Sequence, residues 1–257
     1  MKKGQTPWSR EELILAVNLY CQTPFGKLHS RNPEIIHFAN LIGRTPNSVA
    51  YKLVNLASLD PTLKIRGIKG ASNASRLDRQ IWTEFFENLD ELSFQSEILK
   101  ASLQKSKIET IPNGSDTDFP QEGKTRDQMV KARLQQSFFR NMVLASYNFT
   151  CCITGIQNPY LLIAGHIIPW SVDANNRLNP SNGISINPLH DKAFECGLLT
   201  ITPEYTIRIS SKLFSDKNKP QIEDLFLKYH EQPIILPTKF LPERTFLEYH
   251  NYVRFLP

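Results

Sequence analysis

Two neighbouring runs constrain the fold of this chain more tightly than anything else in it: Leu162-Ile-Ala-Gly-His166-Ile-Ile-Pro-Trp170, then Pro180-Ser-Asn182-Gly-Ile-Ser-Ile-Asn-Pro-Leu-His190-Asp-Lys-Ala-Phe194. His166 closes an apolar strand, Asn182 opens a second strand and His190 opens a helix. The order supplies three distinct chemical tools. An imidazole takes up a proton near neutral pH. An Asn amide both donates and accepts, so it can tie down a loop. A second imidazole can ligate a divalent cation. Hydrolysis of a phosphodiester needs an activated water and a cation that neutralises charge on the phosphate and the departing oxygen, so the trio outlines a phosphodiesterase.

The surrounding residues sharpen this outline. From about Gln136 to Phe214 the chain reads Phe138-Phe-Arg140, Tyr147, Cys152-Ile-Thr-Gly155, Gly165-His-Ile-Ile-Pro-Trp170, Asn182-Gly-Ile184 and His190-Asp-Lys-Ala-Phe194. Several linked motifs in one order are far more specific than a lone His-Asn-His spacing. This stretch resembles the HNH nucleases, in particular the branch found in bacterial restriction-like enzymes. The resemblance implies a ββα-metal fold in which His166 is the general base, Asn182 braces the loop and His190 ligates the cation. Mg²⁺ is the cation implied, with Mn²⁺ or Ni²⁺ as alternatives.

One departure matters. Many HNH nucleases carry Asp or His just before the base as a second metal ligand, and this chain has Gly165 there. Asp191 and Glu195 are nearby carboxylates, but Asp191 would project about a third of a turn from His190 on a helix, so neither is assigned as a ligand. Gly155 stands where a second knuckle cysteine would be. With Cys21, Cys151, Cys152 and Cys196 as the only cysteines, a structural zinc site is not expected. His29, His37, His230 and His250 are read as packing or surface residues.

The segment Lys105 to Thr125 has no helical or strand period and is rich in turn formers, so it reads as a linker. It separates a helical domain, 1–104, from a nuclease domain with a C-terminal extension, 126–257. Ser9-Arg-Glu-Glu12 has capping-box form ahead of Leu13, Ile14, Val17 and Tyr20. Asn32-Pro33 and Thr45-Pro46 read as caps with proline in the first helical turn. In the third helix Val49, Leu53 and Leu56 form one stripe, and Asn47, Ser48, Tyr51, Lys52 and Asn55 fall largely outside it. Two helices, a Gly-Arg turn and a third helix with a polar face make a helix-turn-helix outline. Arg44 to Arg79 holds seven Lys/Arg (Arg44, Lys52, Lys64, Arg66, Lys69, Arg76 and Arg79) against two acids, Asp60 and Asp78, a bias that suits phosphate contact. The expected nucleic-acid contacts are Arg44, Asn47, Lys52, Asn55, Lys64, Arg66 and, on the helix after the linker, Arg140.

After the linker, Arg126 to Tyr147 reads as one helix, Phe149 to Ile168 as a hairpin ending at His166, and Gly197 to Ser210 as a hairpin turning at Pro203-Glu204. The net charge of +5 and pI near 9.0 agree with a polyanionic partner. No run approaches a membrane span and the start lacks a secretory signal, which with few cysteines points to the cytoplasm. The expectation is therefore an α+β, divalent-metal-dependent HNH endonuclease that cuts double-stranded DNA in restriction or defence, with a twofold homodimer as the simplest way to cut both strands. The rivals are a DNA-binding regulator with an inactive nuclease fold and an RNA-directed or toxin-like nuclease.

Overall fold

The computed structural model describes residues 6–68, 71, 73–104, 126–214 and 219–257. The linker expected at 105–125, and Lys69 of the basic segment, lie outside the described residues. Contacts gather into two compact units, 1–141 and 142–257. The architecture is α+β.

In the first unit the caps form where the sequence puts them. Ser9 and Glu12 close a reciprocal capping box on α1 (Arg10–Gln22), Asn32 caps α2 (Pro33–Leu41), and Thr45 caps α3 (Pro46–Ala57). Each occupies orphan N–H groups of a first turn. Gly43, at φ +68°, lets the chain leave α2 through the left-handed region, and Arg44 N–H closes back onto Ala39 O at 2.8 Å. Three further helices follow, α4 (Pro61–Ile65), α5 (Arg76–Glu87) and α6 (Leu89–Leu103). Leu13, Ile14, Val17 and Tyr20 of α1 are fully buried, with Val49, Leu53 and Leu56 of α3 and Ile81 and Phe85 of α5 completing the core. Tyr20 donates to Asp60 at 2.8 Å, and Asp60 in turn caps α4 through Thr62 N–H. A buried phenol thus reaches the cap of a distant helix.

The long helix α7 (Arg126–Ser146) matches the span read from its sequence and crosses the division between the units. The second unit then forms strand β1 (Ile163–His166), strand β2 (Gly183–Ile186) and helix α8 (Pro188–Glu195), a β-β-α order. The hairpin expected within Phe149 to Ile168 is corrected here. β1 pairs antiparallel with the downstream β2, His166 opposite Gly183 and Gly165 opposite Ile184. The residues before β1 instead form a turn at Cys151-Cys-Ile-Thr-Gly155, in which Gly155 N–H returns to Cys151 O and Cys152 N–H donates to Ser185 O at 2.7 Å. The second hairpin, β3 (Leu199–Ile201) with β4 (Ile207–Ile209), turns around Pro203-Glu204 as expected.

Short helical pieces follow, among them α9 (Ser211–Phe214), α10 (Lys219–Leu225), α11 (Arg244–Tyr249) and a π turn over His250–Arg254. The π turn places His250 in the core. Its ring stacks on Phe194 at 3.6 Å, its nitrogens meet Thr200 Oγ1 at 2.8 Å and Phe194 O at 3.1 Å, and burial lowers its pKa to about 4. It is a packing residue.

Candidate active site

His166 ends β1, half-buried, where the chain enters the loop that returns to β2. Its Nε2 lies 2.9 Å from Arg177 O. A carbonyl can only accept, so Nε2 carries a proton, and in the neutral ring Nδ1 is the nitrogen left with a lone pair. The hydrogen bond therefore selects the tautomer. Trp170 stands edge-on to the imidazole at 5.6 Å, and the Arg177 guanidinium lies 5.3 Å over the Trp170 ring while its Nε donates to Trp170 O at 2.9 Å. Trp170 and Arg177 thus tie the loop to itself beside the histidine.

Asn182 holds that loop in place. It is fully buried. Ile168 N–H donates to its Oδ1 at 2.8 Å, and its Nδ2 donates to Ile168 O and Asn176 O, each at 3.1 Å. Its own carbonyl accepts from Ile167 N–H at 2.9 Å. One side chain thus pins the loop just after His166 and again one residue before Arg177, whose carbonyl orients the imidazole. A residue that donates and accepts is needed, and a carboxylate cannot do both.

His190 lies on α8 and is buried, 2% exposed. The helix cap decides its protonation. Asn187 Oδ1 accepts from Leu189 N–H and His190 N–H, each at 3.1 Å, so its Nδ2 must be what faces His190 Nδ1, 2.6 Å away. Nδ1 then accepts, and Nε2–H donates to Leu225 O at 2.7 Å. Burial pulls the pKa of His190 below its ordinary value, against the opposing pull of the Leu225 carbonyl. Phe226 and Tyr229 close over the ring at 5.1 and 5.6 Å. In this arrangement both nitrogens of His190 meet protein partners, Nδ1 at Asn187 and Nε2 at Leu225. Among the described residues no group of three His, Cys, Asp or Glu side chains could hold a metal ion. The imidazoles do not form a ready cation site.

Gly165 is tightly bounded. A Cβ built there would lie 2.5 Å from Asp191 Oδ1 and 3.3 Å from Ile186 Cγ2. The carboxylate of α8 occupies the volume that a side chain at residue 165 would fill. Nothing in the sequence alone placed Asp191 there. Asn187 was not singled out from the sequence either, although Asn-Pro ahead of an apolar turn is the signal of a helix start that would have found it.

The residues expected at a nucleic-acid surface divide sharply. Asn47, Lys64 and Arg66 are exposed. Lys52 and Asn55 are corrected to the interior, at 9% and 3% exposure. Lys52 Nζ sits 2.8 and 2.9 Å from the two oxygens of the fully buried Asp78, which itself accepts from Ser75 N–H in the cap of α5. A stripe count on α3 misses this because α5 covers part of the helix face that was read as open. Arg44 is also withdrawn: it pairs with Glu12 through two hydrogen bonds of 2.7 Å, donates to the Thr6 and Pro7 carbonyls, and stacks on Trp8 at 4.3 Å. Arg140 is half-buried on α7.

Residues 151–202 match the family model of the HNH endonucleases. The matched span runs from the Cys151 turn through β1, the Asn182-braced loop, β2 and α8 into β3. No curated protein matches the chain. No helix among the described residues is long and apolar enough to cross a membrane.

Proposed function

With an HNH-family segment over residues 151–202 pointing to a nuclease that acts on nucleic acid, we propose that this chain is an endonuclease hydrolysing DNA phosphodiester bonds, with His166 as general base. The observation that carries the reading is the support built around His166. Asn182 holds Ile168 and Asn176, the loop carries Arg177 O, and that carbonyl fixes the Nε2–H tautomer. Nδ1 then takes the proton from the attacking water, and the Arg177 carbonyl stabilises the imidazolium that forms. A positioned base of this kind is worth about 10²–10⁴ in rate. The products carry 5′-phosphate and 3′-hydroxyl ends.

A divalent cation, Mg²⁺ with Mn²⁺ or Ni²⁺ as alternatives, would neutralise charge on the phosphate. His190 is given no part in holding it, since its nitrogens already serve Asn187 and Leu225. The helical 1–104 domain supplies the DNA contacts through the exposed Asn47, Tyr51, Lys64, Arg66, Arg76 and Arg79, a largely basic set that suits a phosphate backbone. Arg44, Lys52 and Asn55 are left out of it because each is used inside the unit. Restriction or another defence role, carried out by a twofold dimer that cuts both strands, completes the reading.

The direct test is to incubate purified protein with modified and unmodified duplex DNA in Mg²⁺, Mn²⁺, Ni²⁺ or chelator and to map the ends. Cation-dependent cuts with 5′-phosphate ends support the reading. Binding without cleavage under every condition would favour the regulator with an inactive nuclease fold.

A further inference from the structure

We propose that the Arg177 guanidinium binds the phosphate that His166 serves, its Nη1 and Nη2 gripping the nonbridging oxygens. The inference rests on the nuclease reading above and adds a substrate contact which that reading leaves unassigned.

Three observations carry it. The first is place. Arg177 O meets His166 Nε2 at 2.9 Å, so the backbone of residue 177 is fixed beside the imidazole. Its side chain and that imidazole also share a neighbour, Trp170, whose ring lies 5.6 Å from the imidazole and 5.3 Å from the guanidinium. The second is aim. Nε donates to Trp170 O at 2.9 Å, and this bond together with the ring face fixes the guanidinium fork. Donors held in place before the substrate arrives are what stabilises charge gained by a reacting phosphate. The third is charge. Among the described residues Nη1 and Nη2 have no hydrogen-bond partner and the guanidinium has no ion pair. Asp173, the acid that its charge reaches, instead accepts from Asn175 N–H, Asn176 N–H and Asn176 Nδ2. A half-buried guanidinium with both terminal nitrogens uncommitted matches the edge of a phosphate bidentately.

The competing account gives Arg177 only a bracing role, through the bond from Nε to Trp170 O. Two substitutions set the accounts against each other. In Arg177→Gln the amide nitrogen falls where Nε stands, so the donor to Trp170 O is kept while the charge and both Nη atoms are lost. In Arg177→Lys a charge stays within reach of a phosphate and the Nε brace is lost. The full chain of wild type and of each variant, with melting curves by circular dichroism, is compared in duplex DNA binding across a salt series in chelator and in single-turnover cleavage with Mg²⁺, Mn²⁺ or Ni²⁺. Arg177→Gln should melt near wild type and lose about 0.9 from the slope of log affinity against log salt, the amount due to one phosphate contact. It should also cut about 10²–10³ more slowly, as when one preorganised charge-stabilising donor is removed. Arg177→Lys should keep the wild-type slope, because an ammonium still meets the phosphate as a point charge, and cut at a rate between the other two.

A brace predicts the reverse, with Arg177→Gln like wild type in both assays and Arg177→Lys slowed, and that result would overturn the proposal. So would a wild type that binds no duplex, or an Arg177→Lys protein whose slope falls by the amount expected of Arg177→Gln; the lysine variant decides the matter if the glutamine variant melts early. Binding and cleavage read in parallel keep the two readings distinct. A chain that cuts DNA while Arg177→Gln keeps the wild-type salt slope refutes the Arg177 assignment alone. One that shows the expected pattern of slopes yet cuts nothing with any of the three cations refutes the nuclease reading alone.

Discussion

Replacing Asn182 by Ala removes three side-chain hydrogen bonds from a fully buried position, two of them to the backbone of Ile168, which is itself only 8% exposed. Each buried backbone group left without a partner costs about 1–3 kcal/mol. The Asn176 carbonyl belongs to a half-buried residue and can turn to water, so the Ile168 N–H and C=O dominate. Their sum is about 3 kcal/mol, equivalent to a fall of roughly 10 °C in the melting of the second unit. The kinetic effect should be larger in proportion, because the same loop carries the carbonyl that orients His166, and a misplacement of about 1 Å at a reacting group costs about 10²-fold. Asn182→Asp sharpens the test. It keeps an acceptor for Ile168 N–H but turns an oxygen toward the Ile168 and Asn176 carbonyls, so near neutral pH it should be no better than Ala despite its matching shape. Scanning calorimetry and single-turnover cleavage of duplex DNA measure the two effects. Variants that melt within 2 °C of wild type and cut at its rate would refute the bracing role.

Further outcomes follow from the same structure. Lys52→Ala leaves Asp78 buried and uncompensated and should cost about 3–5 kcal/mol in urea unfolding, while DNA affinity measured on the folded fraction stays unchanged. Lys64→Ala/Arg66→Ala should instead leave stability near wild type and flatten the dependence of duplex binding on salt by about two counterions; an unchanged salt slope would remove these residues from the contact surface. For His250 the folded pKa of about 4 lies below the ordinary value of 6.5. The unfolded chain therefore binds more protons in that window, and stability should fall as pH drops from about 6.5 toward about 4, by on the order of 3 kcal/mol. His250→Gln should flatten that slope in acid-unfolding curves. Gly197→Ala would drive a methyl into the Arg254 carbonyl at a residue with φ +73°, so loss of folding on expression is expected.

What the sequence disclosed and what it hid have separate physical causes. The helix starts at Ser9, Asn32 and Thr45 were legible because a cap is a local device, settled by a side chain within three residues of the N–H it serves. The Pro203-Glu204 hairpin was legible for the same reason. The partner of β1 was not, because the strand pairs across the long loop from His166 to Gly183 and no local period records that. Lys52 and Asn55 were misread as surface residues since an α3 stripe says nothing about α5 arriving over its flank. Asp78, 26 residues along the chain from Lys52, completes the pair. At the site, the identities of His166 and Asn182 were readable from motif order. The tautomer of His166, the closure of His190 by Leu225 and the reach of Asp191 to Gly165 depend on contacts that only the folded chain brings together.

The central claim is that His166 takes the proton from the attacking water. Single-turnover cleavage of duplex DNA by wild type and His166→Ala, with matched melting curves and DNA affinities, tests it most directly. The expected result is a fall of about 10²–10⁴ in the cleavage rate with folding and binding essentially intact. A His166→Ala protein that cuts at the wild-type rate would contradict the account.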